Sequence, residues 1–215
     1  MIPYGRQDIS KEDINAVVKV LKSDYLTQGP VTPLFEEEVK KYCGVKFSFA
    51  FNSATSALHA ACFSLGLRKG DYVWTSANTF AASANCALYC GAKIDFIDID
   101  PDTYNLCVNS LKKKLVQAKK DGKLPKVVIP VHLAGQSCKM KDIHSLSKKY
   151  KFKIIEDASH AIGGKYLSKK IGDCKYSDIT VFSFHPVKII TTGEGGIATT
   201  NDKKIAEKLD MFRTH

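Results

Sequence analysis

From residue 47 to residue 200, short runs of β-branched and aromatic residues alternate with longer stretches of helical periodicity. Few architectures accommodate such alternation. The runs predict strands at 47–51, 72–75, 94–99, 127–131, 152–156, 179–184 and 197–200, with helices at 53–65, 79–90, 110–120 and 140–150. Strands that are apolar along their whole length are buried on both faces, and a helix between two strands joins parallel neighbours. The expectation is an α/β fold with a mainly parallel, seven-stranded sheet between helices.

A helical segment of about 45 residues precedes the sheet. Ser10 with Glu12 and Asp13 opens a helix whose apolar residues Ile14, Val17, Val18 and Leu21 recur at helical spacing, and a second helix at 32–42 ends at Gly44. A last helix starts at Asn201 or Asp202 and carries Ile205, Leu209 and Phe212 on one face. Residues 1–215 therefore read as one large domain. The chain stops at His215 without a Gly or Pro stop signal, so a smaller C-terminal domain is expected beyond it, covering that apolar face.

Composition narrows the classes of function. Net charge is +10, and only Arg6, Arg68 and Arg213 are arginines. The lysines lie on polar helix faces without interleaved aromatics or arginine forks, which suits solvated surfaces and not a nucleic-acid groove. A diffuse positive field still draws anionic substrates. Seven cysteines form no CxxC pair and no zinc spacing, which suits free thiols in a reducing cytosol. No metal site is expected, and neither a secretory leader nor a membrane span is apparent.

Chemistry concentrates at the predicted strand ends, where ligands gather in sheets of this kind. Lys188 lies between Val187 and Ile189, after the strand at 179–184 and before the turn Thr191-Thr192-Gly193-Glu194-Gly195-Gly196. Partial desolvation there lowers the pKa of an ammonium group and equips it to form a Schiff base; a solvated loop lysine is the ordinary alternative. The segment Asn52-Ser53-Ala54-Thr55-Ser56 offers helix-start N–H groups and the Ser53 and Thr55 hydroxyls to a phosphate, or Ser53 is merely an N-cap. Asp157 ends a strand and can pair with a protonated ring nitrogen or cap the next turn, with His160 a turn further on. Phe80 can stack on a flat ring or belong to the core, and Ser183, ending a strand five residues before Lys188, can belong to the site or merely satisfy backbone. Together these residues describe the requirements of pyridoxal phosphate (PLP): a phosphate cradle, a stacking ring, a carboxylate for the pyridinium nitrogen and a lysine for the aldehyde.

The motifs FNSAT, EDASHAIG, FSFHPVK and TTGEGG, in this order and spacing, resemble the DegT-type family of sugar-nucleotide aminotransferases, with PYGRQDI, LTQGP and MFRTH extending the likeness over the whole chain. The resemblance implies the large domain of a fold-type I PLP enzyme that pairs as a homodimer sharing its active sites. It makes Lys188 the Schiff-base lysine, Asp157 the ring-nitrogen partner and His160 the contact to the ring hydroxyl. Ala54, Thr55 and Ser183 fall at phosphate positions and Phe80 at the stacking position. Tyr4 and the loop of Asp24, Tyr25, Leu26 and Thr27 fall where the family contacts its sugar nucleotide. Within the family the likeness is to the C4 aminotransferases of pseudaminic-acid synthesis, which implies a UDP-linked 4-keto-6-deoxy-N-acetylhexose as acceptor and L-glutamate as donor. Two other readings are a PLP-dependent sugar dehydratase, whose relatives carry His in place of the lysine, and a non-catalytic binding protein that keeps the fold.

Overall fold

The computed structural model describes residues 2 and 5–214. Its elements follow the predicted order: helices α1 (Lys11–Leu21) and α2 (Val31–Cys43), strand β1 (Phe47–Phe51), α3 (Ala54–Ser64), β2 (Tyr72–Ser76), α4 (Ala82–Tyr89) and β3 (Lys93–Ile97). Then come α5 (Val108–Lys120), β4 (Val127–Ile129), α6 (Met140–Tyr150), β5 (Lys153–Asp157), a small hairpin of β6 (Lys165–Tyr166) and β7 (Lys169–Lys170), β8 (Ile179–Ser183), β9 (Gly196–Thr200) and α7 (Lys203–Arg213).

Seven of the strands form one sheet in the order β1-β9-β8-β5-β4-β2-β3. The β2–β3, β2–β4, β4–β5 and β5–β8 pairs are parallel, whereas β9 runs antiparallel to both β1 and β8. The sheet is therefore mainly parallel, as expected.

The pleat distributes the strand side chains between two faces. Val73, Val127, Ile129, Ile155, Ile179, Val181 and Ala198 turn to one face, under the small residues Ala57, Ala60 and Ala61 of α3. Their neighbours Trp74, Val128 and Ile154 turn to the other, against Leu111 and Leu115 of α5 and Ile143 of α6. A third cluster packs Phe182, Phe184 and Ile197 against Val39 and Cys43 of α2. Alanines on α3 let that helix lie close to the sheet, which brings its N-terminus near the strand ends.

Three expectations need correction. The face of α7 is already covered within this chain: Ile205 and Leu209 are buried, and the Phe212 ring lies 5.1 Å from that of His59 and 5.2 Å from that of Phe63 on α3. The uncovered apolar stripe belongs to α1. Its capping box forms between Ser10 and Asp13, yet the helix buries no residue, and Ile14, Val17 and Leu21 are all more than half exposed. Finally, α4 begins at Ala82 and not at Thr79, because residues 77–81 cross from the end of β2 in a non-helical turn.

Candidate active site

The sheet register explains how residues far apart in sequence meet. Gly196, the first residue of β9, lies opposite both Phe51 at the end of β1 and Ser183 at the end of β8. Asp157, the last residue of the parallel β5, pairs in register with Val181. The ends of β1, β5 and β8 thus share one edge, together with the turns that follow them. A cavity of about 580 Å³ opens there, a size usual for a small-molecule site.

Ser53, Ala54, Thr55, Phe80, Asp157, His160, Ser183 and Lys188 all line this cavity. The loop of Asp24, Tyr25, Leu26 and Thr27 does not: it is exposed throughout and stays outside with α1, which none of the described residues covers. Tyr4 lies outside the described residues.

At the phosphate end, Ser53 is the N-cap of α3, its hydroxyl accepting from Ser56 N–H at 3.1 Å. The first N–H groups of the helix, at Ala54 and Thr55, have no intrahelical acceptor and face the cavity mouth with the positive end of the helix dipole. The N-cap reading of Ser53 is the one observed, and it is compatible with an anion site because a capping serine leaves those N–H groups free. Gly196 makes the arrangement possible. A Cβ there would sit 2.4 Å from Ala54 N and 2.5 Å from Ser53 C, so any side chain would push the helix start off the sheet.

Lys188 sits in the turn that returns from β8 to β9. Phe184 O accepts from Thr192 N–H at 3.0 Å and from the Thr191 hydroxyl at 2.9 Å, which closes the turn, and the Gln7 amide donates to Pro186 O at 2.7 Å from the N-terminal side. The flanking Val187 and Ile189 are exposed, at 54% and 66%, so they do not enclose the lysine as expected. Val187 borders the cavity beside Lys188 while staying more than half exposed, Ile189 lies outside it, and it is the cavity wall as a whole that half-buries Lys188. This burial lowers its pKa below the ordinary 10.5, against the opposing pull of the Asp157 charge.

Asp157 is buried at 4% exposure and lies in a dense hydrogen-bond shell. Its Oδ1 accepts from the Ser159 backbone N–H at 3.1 Å and the Ser159 hydroxyl at 2.6 Å, and its Oδ2 accepts from the Ser83 hydroxyl at 2.5 Å. His160 is partly buried, and its Nδ1 accepts from Ala134 N–H at 3.3 Å, which leaves Nε2 as the nitrogen free for a ligand. Burial, followed by the nearby Lys188 ammonium, lowers its pKa, so the ring is neutral at pH 7. Phe80 borders the cavity and is 76% exposed, a ring available for stacking and not a core residue.

Behind Asp157 lies a pair that the sequence reading missed. The imidazole of His132 meets Glu156 Oε2 at 2.7 Å, with both side chains buried. The Ser177 and Thr180 hydroxyls donate to Oε1 of the same carboxylate. Burial raises the Glu156 pKa, but the bonds from His132, Ser177 and Thr180 outweigh it and hold the carboxyl below its ordinary value. The backbone N–H of His132 also donates to the backbone carbonyl of Asp157 at 3.0 Å, so main-chain and side-chain bonds together tie His132 to the segment that presents Asp157. Ser83 and His132 lie in no motif of the sequence; Ser159 and Gly196 fall within EDASHAIG and TTGEGG, but nothing local marks the one as a partner of Asp157 or the other as the close approach to α3.

The sequence profile described as the DegT/DnrJ/EryC1/StrS aminotransferase family matches residues 7–215. The chain belongs to this family. Members depend on pyridoxal phosphate. The chain is 44% identical over 215 residues to the UDP-4-amino-4,6-dideoxy-N-acetyl-beta-L-altrosamine transaminase of Campylobacter jejuni, covering 100% of this chain and 55% of the relative. Among solved structures, the Helicobacter pylori aminotransferase PseC, involved in the biosynthesis of pseudoaminic acid, superposes with a TM-score of 0.91 at 36% identity, over 99% of this chain and 56% of that one. NtdA from Bacillus subtilis, with its cofactor PMP bound, superposes at 0.80 with 30% identity, over 94% of this chain and 45% of that one. The chain spans about half the length of the curated relatives it matches.

The residues of the cavity fit the family's cofactor. One end offers unpaired helix N–H groups to an anion, the middle an exposed aromatic ring to a flat ligand, and the floor a buried carboxylate. The far wall offers an amine of lowered pKa to an aldehyde.

Proposed function

We propose that this chain is the cofactor-binding large domain of a PLP-dependent aminotransferase that transfers an amino group from L-glutamate to the C4 keto group of a UDP-linked 4-keto-6-deoxy sugar. The observation that carries this reading is the convergence of Lys188, Asp157 and the α3 N-terminus on one cavity. The N–H groups of Ala54 and Thr55, with the Ser53, Thr55 and Ser183 hydroxyls, would hold the phosphate. Phe80 would cover one face of the ring, His160 Nε2 would meet the ring hydroxyl, and Asp157 would accept a hydrogen bond from the ring nitrogen. Lys188 Nζ would hold the cofactor by its aldehyde carbon. When bound, the cofactor supplies an electron sink for a carbanion at the substrate carbon. Asp157 keeps the proton on the ring nitrogen, which preserves that sink. Lys188 Nζ, when not holding the cofactor, would act as the general base that moves the proton at the reacting carbon.

The donor and the sugar rest on the family likeness and on the relatives' reactions. The scarcity of arginine supports a sugar nucleotide over a small dicarboxylate as the principal substrate, because dicarboxylates are usually clamped by arginine forks. A homodimer in the cytoplasm, with a smaller domain following this one, belongs to the same reading.

The test is to add pyridoxal phosphate, reduce with borohydride and map the modified peptide. Modification is expected at Lys188 alone and is expected to vanish in Lys188→Ala. Modification spread over surface lysines would favour a non-catalytic basic protein instead. With the cofactor in place, conversion to its amine form by glutamate, followed by return of the amine to the keto sugar and not to a small α-keto acid, checks the substrates.

A further inference from the structure

Asp157 is held from two sides, and the two sides differ. Its Oδ1 receives both the backbone N–H and the hydroxyl of Ser159, two residues further along the same chain segment. Its Oδ2 receives a single donor, the hydroxyl of Ser83, which comes from α4 on a separate element 74 residues away. An ionised carboxylate has about four acceptor positions, two on each oxygen. Three are taken. The one that remains is on Oδ2, and Ser83 decides where it points.

The donor order of this chain of groups is determined as well. A carboxylate accepts only, so the Ser83 proton is committed to Asp157. The Thr79 hydroxyl in turn donates to Ser83 Oγ at 2.8 Å. Thr79 immediately precedes Phe80, the exposed ring at the cavity edge, in the non-helical crossing between β2 and α4. Ser83 is fully buried and does not line the cavity, so it acts through Asp157 and not on a ligand directly. A hydroxyl in the first turn of α4 is not needed for the helix to form, and once buried it must find a partner, which here is Asp157.

We infer that Ser83, oriented by Thr79, is a positioning residue for the cofactor: it presents Asp157 Oδ2 to the ring nitrogen and keeps the shared proton on that nitrogen. Donation from Ser83 disperses charge on Oδ2 and opposes rotation of the carboxylate about its last bond. Without it the oxygen is both a stronger base and a looser one, and either change draws the proton away from the ring. The Thr79–Ser83 link also ties the Phe80 loop to the carboxylate that would meet the ring nitrogen, so one hydrogen-bonded chain connects the segment of the stacking residue to Asp157.

The inference rests on the assignment of Asp157 to the ring nitrogen, and one measurement separates the two. The chain is loaded with pyridoxal phosphate labelled with nitrogen-15 in the ring, and the nitrogen resonance is recorded. In the unaltered chain a pyridinium-like shift is expected; a shift equal to that of unprotonated free cofactor would overturn the Asp157 assignment and this proposal with it. In Ser83→Ala the resonance is expected to move toward the unprotonated value, and in Thr79→Val to move the same way by less. Ser64→Ala serves as control, a serine on α3 that is equally buried and whose hydroxyl donates to Ala60 O. It is expected to leave the resonance unchanged. A pyridinium-like shift in the unaltered chain that is also unmoved in Ser83→Ala and Thr79→Val would assign Ser83 a packing role alone and end the proposal, whatever the activities of the variants.

Discussion

Lys188 shows how far a single residue can be read before its surroundings are known. Its place at a site and the direction of its pKa shift were legible from the Pro186 break and the glycine turn that follows, but the cause of that shift was not. Its apolar neighbours are both more than half exposed and do not enclose it, and burial at the cavity wall acts on the ammonium, opposed by Asp157. The sign of the consequence follows. A lysine whose folded pKa lies below 10.5 binds its proton more weakly folded than unfolded, so its contribution to stability is gained as pH rises through the folded value toward 10.5. In the cofactor-free chain with isotope-labelled lysines, NMR titration should find Lys188 losing its proton below the bulk of the surface lysines. Asp157→Asn should move that midpoint further down, because the carboxylate is what favours the ammonium; a midpoint moving upward would contradict the geometry.

Among the elements, α3 carries the strongest local constraint. Ser53 caps it, and Gly196 gives it room. Ser53→Ala should lower stability by about 1 kcal/mol, the usual value of an N-cap. Gly196→Ala should cost about 3 kcal/mol, the upper end for overpacking, since helix backbone and not a flexible side chain must shift. Urea unfolding of the two variants measures both. Gly196→Ala should also weaken binding of pyridoxal phosphate more than Ser53→Ala does, because it displaces the N–H groups themselves; equal affinities would show that the helix start can move without loss. Elements also mark where the sequence was opaque. The β6–β7 hairpin turns on Leu167 and Ser168, at φ of 46° and 65°, and lacks the Asn or Gly that normally announces such a turn. The start of α4 was misjudged by three residues because Thr79 resembles a cap, while its hydroxyl is used instead to reach Ser83.

At the scale of the whole molecule, order is uneven. Strands β8 and β9 are buried along their full length in the middle of the sheet, whereas α1 buries no residue at all. Amide hydrogen exchange followed by mass spectrometry should therefore find 179–183 and 196–200 among the slowest segments and 11–21 among the fastest, with protection in α1 no greater than that of a fraying helix. Strong protection there in the isolated chain would mean that its apolar stripe is covered by something other than these residues, such as a second copy.

The sequence by itself determined the periodicities, and these were enough for the order of elements, the mainly parallel sheet and the burial of the strands, since an apolar run has few ways to escape water. It also determined which residue types stood at the strand ends, and so the class of cofactor they suit. Only the tertiary structure decided which of them meet. The antiparallel register of β9 sets Gly196 beside both the β1 and the β8 edges, and no local pattern encodes that pairing. Burial of α7 against α3, the exclusion of the loop of Asp24, Tyr25, Leu26 and Thr27 from the cavity, the His132–Glu156 anchor and the Ser83 bond to Asp157 share this origin. Each depends on distances between elements remote in sequence, which side-chain periodicity within an element cannot report.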